Sequence, residues 1–162
     1  AMWTMLSAGV DRTMPTVEQM DRKGWMRILA RSERKDIEAA CHHLEPLPDY
    51  RLVRGPEIGM VMVQGRTGGI GAPFNLGEAT VTRCTLQVDQ GAAGTAYVLG
   101  RDRRHAELAA LLDALLLDPE RQPEVLSAVV RPLSAILCAR EAEQNQKTAS
   151  TKVEFFTMAR GD

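Results

Sequence analysis

Arginine and glycine occur together in three segments of this 162-residue chain. The segments are QGRTGGIG at 64–71, GRDRRHAE at 100–107 and FFTMARGD at 155–162. Glycine lets backbone amides approach a ligand closely, and a guanidinium pairs in a planar fork with phosphate or carboxylate. No segment contains a nucleophile next to a base, or a set of metal ligands. These residues therefore predict a surface that holds an anion or a partner subunit.

The first segment has the glycine content of a phosphate-binding loop but not its pattern. A P-loop requires GxxxxGK followed by Ser or Thr at the start of a helix, and this stretch lacks the lysine. It also joins two predicted strands. Two interpretations stay open: a long hairpin loop, or a ligand contact through Arg66 and the amides of Gly68 and Gly69.

The second segment lies where a predicted strand passes into a helix. Asp102 is placed to cap that helix, whose first turn presents free amides to an anion beside Arg101 and Arg103. Alternatively, Asp102 and Glu107 neutralise the neighbouring arginines. His105 is a candidate contact, but His105 and Glu107 point to different sides of a helix and make poor joint metal ligands.

The remaining candidates for chemistry are weaker. Cys41, His42 and His43 suggest zinc, but adjacent helical residues diverge by about 100° each, which opposes shared coordination. Ser127 and Ser134 lack the flanking glycines of a hydrolase nucleophile. We therefore predict no catalytic residue and no metal ligand in this chain.

The terminal segment combines apolar residues with a short alternating pattern over 152–158. Phe155, Phe156 and Met158 need either the core or a partner to cover them. We expect them to form an interface, with Arg160 beside it, and the alternation favours a strand that closes an edge of the sheet.

Composition excludes several classes of function. The 20 Lys plus Arg balance 21 Asp plus Glu to a net charge of -1, and aromatic residues are 4% of the chain, so no nucleic-acid partner is expected. The apolar run at 108–117 is too short to span a bilayer, which predicts no membrane partner. No secretory signal is recognisable in residues 1–15, and the three cysteines are widely spaced, which together predict a cytoplasmic protein with reduced thiols.

Periodicity predicts an α+β fold with one domain at 19–162 after a flexible leader at 1–18. Two helices occupy about 18–30 and 32–45, and helical spacing returns from Arg103, with a break or kink at Arg131-Pro132. Short β-type runs predict strands at 50–54, 57–66, 77–89 and 94–101, with Gly55-Pro56 as a turn. With the terminal strand, this gives an antiparallel sheet of four to five strands, with the helices before and after it packed on one face.

Three motifs in order carry a resemblance to a known family. NLGEATVTR at 75–83, LGRDRRHAEL at 99–108 and VEFFTMARGD at 153–162 follow the paired glycines at 68–69. This set resembles the G subunit of the carbon-phosphorus lyase (phosphonate) core complex, over about residues 20–162. The substrate or partner contacts expected here are Arg66, Gly68, Gly69, Arg83, Arg101, Arg103, His105 and Arg160, with Phe155, Phe156 and Met158 at an interface.

The resemblance implies a role in phosphonate catabolism, in which the complex replaces the adenine of ATP with an alkylphosphonate. ATP is then a co-substrate of the complex, and no cofactor is expected on this chain alone. The implied partners are the I, H, J, K and L subunits of the same system, with the base-displacing chemistry assigned mainly to the I subunit. No catalytic residue of the G subunit is carried over.

Two alternatives to an obligate subunit stay open from the sequence. One is a free-standing nucleotide- or phosphate-binding protein that uses the helix start at 101–105. The other is a zinc protein built on Cys41, His42 and His43.

Overall fold

A computed structural model describes residues 20–67 and 70–150 of the chain. Helices α1 (Arg22–Arg31) and α2 (Arg34–Cys41) come first, and a 3₁₀ turn at His42–Leu44 follows. Strands β1 (Tyr50–Arg66), β2 (Pro73–Val88) and β3 (Ala93–Leu99) form an antiparallel sheet in that order. Helix α3 (Arg103–Leu116), helix α4 (Gln122–Val125), a π-helical turn (Leu126–Val130) and helix α5 (Arg131–Ser150) complete the described part. The predicted α+β fold, with helices before and after an antiparallel sheet, is confirmed.

Helix boundaries follow local capping. Asp21 accepts a hydrogen bond from the Gly24 amide at 2.8 Å and begins α1. Asp102 accepts one from the His105 amide at 3.0 Å and begins α3, as its position before the helix predicts. Ser32 ends α1, where its hydroxyl donates to the Ile28 carbonyl at 2.7 Å.

The strand count differs from the prediction. Residues 50–54 and 57–66 belong to one 17-residue strand, and Gly55-Pro56 is an irregularity in that strand where the register with β2 shifts, not a turn. A bulge absorbs a proline on an edge strand because the missing amide hydrogen need not face a neighbour. The described residues thus contain three strands, and the expected terminal strand at 152–158 lies outside them.

The last helices also differ from the prediction. Arg131 keeps helical backbone angles, and its amide bonds the Leu126 carbonyl across the π turn, so the chain passes Pro132 without ending. The wide turn tolerates the missing proline amide because the helix locally bonds five residues back. The polar run at 141–150 is helical to Ser150.

Helix α3 is the centre of the core. Eleven of its fourteen residues are buried, because one side packs on the sheet and the other meets α1 and α2. The buried side of the sheet carries the side chains of Cys84, Leu86, Ala96 and Val98. At Gly94 the two backbones meet so closely that an added Cβ would lie 2.0 Å from the Ala110 carbonyl oxygen.

A buried carboxylate joins three elements in this core. Asp113 of α3 is fully buried and accepts hydrogen bonds from the Arg22 guanidinium at 2.7 Å, the Trp25 indole at 2.8 Å and the Thr95 amide at 2.9 Å. The hydrogen bond to Asp113 raises the pKa of Arg22. The network positions α1 and β3 against α3.

Candidate partner and anion surface

Several elements meet at the end of the molecule where α3 begins. Arg34 at the start of α2 lies 3.6 Å from Asp102, and Arg31 at the end of α1 lies 2.6 Å from Glu141 of α5. The Gly100 amide donates to the Thr80 carbonyl of β2 at 2.9 Å. Gly100 has a φ of +92°, a value that suits glycine at this junction between β3 and α3.

Two elements project beyond this end. Residues 142–150 of α5 are all exposed, and these nine helical residues extend about 14 Å. On the sheet, β3 ends where Leu99 pairs with Val81, so residues 60–66 and 73–80 continue as a two-stranded hairpin. We call this hairpin the arm. Its strands extend about 25 Å past β3 at 3.3 Å per residue.

The arm exposes apolar side chains on both of its faces. Side chains alternate between the two faces along a strand, so Met60 and Met62 lie on one face, while Val61 and Val63 lie on the other. The exposed fraction of Met60 is 67%, and no residue of β1 is buried. The large apolar residues exposed on the arm are Met60, Val61, Met62, Val63, Phe74 and Leu76.

Two of the predicted arginines are exposed beside the arm. Arg101 and Arg103 flank the α3 cap, and within residues 20–67 and 70–150 neither side chain has a hydrogen bond or ion pair. Arg104 differs, because it lies 3.4 Å from Glu107, which also accepts a hydrogen bond from the Tyr50 hydroxyl. Burial is the larger cause that raises the pKa of Tyr50, and the hydrogen bond to Glu107 raises it further. Of the arginines predicted as contacts, Arg101 and Arg103 are therefore the two without a partner among the described residues.

His105 lies in the interior. It is buried, and its Nε2 lies 2.8 Å from the carbonyl oxygen of Leu29 in α1. A carbonyl only accepts, so Nε2 carries the hydrogen and donates it. The ring thus connects α3 to the end of α1 and points away from the exposed arginines.

The other two arginines from the strands have intramolecular partners. Arg66, at the tip of the arm, donates to the Gly71 carbonyl at 3.2 Å. Arg83 of β2 donates to Glu57 of β1 at 3.1 Å, as a cross-strand pair. Both are exposed, so each contact contributes little to stability. The remaining predicted contacts lie outside the described residues: Gly68, Gly69, Phe155, Phe156, Met158 and Arg160.

The described residues contain no set of three His, Cys, Asp or Glu side chains that could hold a metal ion. His42 instead lies 2.7 Å from Glu45. Cys41 and Cys84 are buried, and burial raises the pKa of each thiol to about 11, so both are neutral at pH 7. In the same part of the chain, no helix has the length and apolar character needed to cross a bilayer.

A surface depression lies at the other end of α3. It has a volume of about 420 Å³ and is lined by Leu47, Pro48, Asp49, Leu115 and Arg121, among others. Neither Arg101 nor Arg103 borders it. The unpaired arginines therefore belong to an open surface next to the arm.

The arm is a functional element that the motifs of the sequence do not point to. Its signal is present: residues 58–64 form β-type sequence without one charged residue, and apolar side chains occupy both alternating sets. A strand with one solvated face normally alternates apolar and polar residues. The absence of that alternation, in a strand that the core does not cover, indicates that something else covers it.

Comparison with known proteins identifies a family and a curated relative that this chain resembles. Residues 20–161 match the family model described as phosphonate metabolism protein PhnG. A curated relative from Rhizobium meliloti (strain 1021), named alpha-D-ribose 1-methylphosphonate 5-triphosphate synthase subunit PhnG, is 42% identical over 141 residues. The aligned region covers 87% of this chain and 90% of the relative.

Proposed function

Because the chain belongs to the family of phosphonate metabolism protein PhnG, we propose that it is a subunit of an alpha-D-ribose 1-methylphosphonate 5-triphosphate synthase. The synthase exchanges the adenine of ATP for an alkylphosphonate, in phosphonate catabolism. This chain supplies a docking surface and part of the anion-binding surface, and another subunit displaces the base.

The observation that carries this proposal is the arm. A two-stranded hairpin alone in water is marginally stable, and a contiguous apolar surface on a soluble domain marks an interaction site. The described part of the arm exposes six large apolar residues over both faces. Its two faces fit between elements of a larger subunit, which buries them and stabilises the hairpin.

Arg101 and Arg103 give the docked surface its charge. Both lie next to the arm, at the start of α3, and neither side chain has a partner within the described part of the chain. A guanidinium binds phosphate oxygens through charge-assisted hydrogen bonds, which strengthen when a partner excludes water. We assign these two arginines to the triphosphate of ATP or of the product, bound at the junction with the catalytic subunit.

The partners in this proposal are the I, H, J, K and L subunits of the phosphonate system, with the I subunit as the catalytic neighbour. ATP enters as a co-substrate of the complex, and this chain alone holds no cofactor. The complex works in the cytoplasm.

The test uses a tagged chain co-expressed with the other synthase subunits. Met60→Lys with Met62→Lys places two charges on one arm face, so we expect the subunits to be lost from the purified sample. Ser127→Lys adds a charge at an exposed site on the π turn and should leave the complex intact. Retention of all subunits by the double arm variant would remove the arm from the interface.

The assembled complex then separates binding from docking. Arg101→Ala with Arg103→Ala should keep every subunit and lower kcat/KM for ATP by about 30- to 900-fold, since two charged hydrogen bonds are lost and each costs about 1–2 kcal/mol. Arg121→Ala, at the other end of α3, is the matched control. An unchanged kcat/KM in the double arginine variant would contradict the triphosphate assignment.

A second candidate, a free-standing nucleotide-binding protein, is favoured by the unpaired arginines at the capped start of α3. Calorimetric titration of the isolated chain with ATP distinguishes the two. Micromolar binding without partners would favour the second candidate, whereas no detectable heat of binding agrees with an obligate subunit.

A further inference from the structure

Strand β3 has an outer edge that is only partly closed. Among the described strands, only β2 borders β3. The Thr95 amide donates to the Asp113 carboxylate of α3 at 2.9 Å and therefore points away from β2. Backbone directions alternate along a strand, so Tyr97 and Leu99 also direct their backbone groups to the outer edge. Within the described residues these groups of Tyr97 and Leu99 have no hydrogen-bond partner, so the edge is open beyond Thr95.

Helix α1 covers the place that a fourth strand would take beside β3. It packs against both α3 and β3. Neighbouring helices lie about 8–10 Å apart, whereas neighbouring strands lie only about 4.8 Å apart. A helix next to α3 therefore extends over the sheet position beyond β3. Between α1 and the edge of β3 lies a groove of about 220 Å³.

The groove is apolar in its interior. Met26 and Ala30 of α1, Ala96 of β3 and Ala109 of α3 line it. A strand that pairs with Tyr97 turns every second side chain toward this side of the sheet. An apolar side chain of that strand fits beneath α1, while the backbone bonds the open edge. Extended segments add to exposed sheet edges in this way, with affinity from the backbone and specificity from the pocket.

The rim of the groove is basic. Arg27 lines the groove and is exposed, and Lys23 lies one turn before it on α1. Within the described part of the chain, neither side chain has a hydrogen bond or ion pair, and no carboxylate lines the groove. Arg101 follows Leu99 by two residues, at the open end of the groove. An extended segment with a carboxylate beside its apolar residue complements this rim.

The position of the groove indicates which chain supplies that segment. Leu99, at the open end, pairs with Val81 at the base of the arm, so the groove adjoins the surface assigned to the catalytic neighbour. Residues 151–162 of the same chain follow Ser150, which α5 carries about 14 Å past the start of α3. At no more than 3.6 Å per residue, about four residues are needed to cover that distance alone. A segment of the docked subunit reaches the groove directly.

We propose that β3 and α1 accept an extended segment of the neighbouring catalytic subunit as a fourth strand. The segment bonds the backbone of Tyr97 and Leu99, inserts one apolar side chain beneath α1 and pairs a carboxylate with Arg27. The inference rests on the proposed function, because the segment belongs to a subunit of that complex. It adds a second contact, at the edge of the sheet opposite to β1.

Photocrosslinking in the assembled complex identifies the occupant. A benzophenone amino acid replaces Tyr97, whose side chain is exposed next to the open edge. After irradiation, mass spectrometry should map the crosslink to an extended segment of another synthase subunit, and the isolated chain should give no crosslink. A crosslink to residues 151–162, a crosslink to a second copy of this chain, or no crosslink in the complex would each overturn the proposal.

A substitution at Leu99 tests whether the occupant pairs as a strand. In the benzophenone background, Leu99→Pro removes an amide hydrogen from the open edge, so crosslinking to the other subunit should fall about 10-fold. Leu99→Ala is the matched control, because it shortens the same exposed side chain and keeps the amide. Equal yields from the two variants would show that no strand pairs with this edge.

A substitution at Arg27 tests the charge of the occupant. In the same background, Arg27→Glu places like charges at the rim and should lower the crosslinking yield at least 10-fold. Arg27→Lys keeps the positive charge and should change the yield by less than about 3-fold. An unchanged yield in Arg27→Glu would contradict the carboxylate of the segment.

Subunit content separates this inference from the proposed function. A complex that retains every subunit but gives no crosslink from position 97 would refute the groove and leave subunit membership intact. A chain that co-purifies with none of the other subunits would refute the proposed function itself, and the occupant of the groove with it.

Discussion

Apolar residues are buried in one half of strand β2 and exposed in the other half. From Val81 to Val88 the strand lies against α3, and Cys84 and Leu86 are fully buried. From Pro73 to residue 80 no residue is buried, although Phe74 and Leu76 are large and apolar. Burial stabilises a fold by about 25 cal/mol per Å² of apolar surface, so only the half from Val81 to Val88 contributes to stability. Stability thus belongs to the helix-backed half, and the arm serves association.

The largest effect should come from the buried carboxylate of the core. Asp113→Ala leaves the Trp25 indole and the Thr95 amide without their acceptor and leaves Arg22 unpaired. Removing one partner of a buried charged network costs about 3–5 kcal/mol, so we expect that loss in the free energy of unfolding by urea.

The control for this prediction is Asp49→Asn, at an exposed carboxylate. It should change the unfolding free energy by less than about 0.5 kcal/mol. A loss below about 1 kcal/mol for Asp113→Ala would show that the network does not hold α1 and β3 to α3.

A glycine pair compares the core and the arm with the same substitution. In Gly94→Ala the new Cβ meets the backbone of α3 at 2.0 Å, so α3 must move away from β3. Overpacking of this kind costs about 1–3 kcal/mol or more, which thermal unfolding measures. In Gly59→Ala the Cβ meets nothing within 4 Å, so the midpoint temperature of thermal unfolding should hardly change. Equal destabilisation by both variants would contradict the contrast between the two regions.

Thiol reactivity compares two neighbouring strands. Burial raises the pKa of Cys84 to about 11, so at pH 8 its thiolate fraction is roughly 100-fold below that of an exposed thiol. Iodoacetamide should therefore modify Val61→Cys on the arm, in reduced protein, at least 100-fold faster than Cys84. Comparable rates would place Cys84 outside the core.

The same shift sets a small dependence of stability on pH. The pKa of Cys84 is raised in the folded state, so the unfolded chain loses the thiol proton first as pH rises above about 9. The free energy of unfolding should then fall between about pH 9 and 11 and be unaffected below that window. Cys84→Ala should flatten this dependence.

Local signals in the sequence were enough for most of the helices. Asp102 before an amphipathic run predicted the start of α3, and the spacing of Leu108, Leu111 and Leu115 predicted its buried sides. Local signals failed where tertiary packing compensates for an unfavourable residue. Pro132 does not end the helix, because the π turn before it removes the need for its amide.

Strand boundaries were less predictable for a related reason. Gly55-Pro56 has the composition of a turn, but pairing with β2 on both sides keeps the chain in one strand. Composition reports what a dipeptide tolerates, and the neighbouring strand decides which conformation it adopts.

The candidate site was partly predictable from residue types. The positions of Arg101 and Arg103 on either side of the Asp102 cap follow from the sequence. That both stay unpaired among the described residues does not, because Asp102 and Glu107 pair with Arg34 and Arg104 instead. The interior position of His105 does not, because it depends on the Leu29 carbonyl 76 residues away. The same applies to Arg83, which Glu57 neutralises across the strands.

The sequence by itself determined the family, the α+β class and the absence of a recognisable nucleophile, because motifs, periodicity and residue chemistry are local properties. Only the tertiary structure decided which apolar residues are left uncovered. Helix α3 reaches as far as Val81 on the sheet, and the strands continue beyond it. Whether a side chain is buried depends on what packs across from it, and the partner of the arm is not a neighbour in the chain.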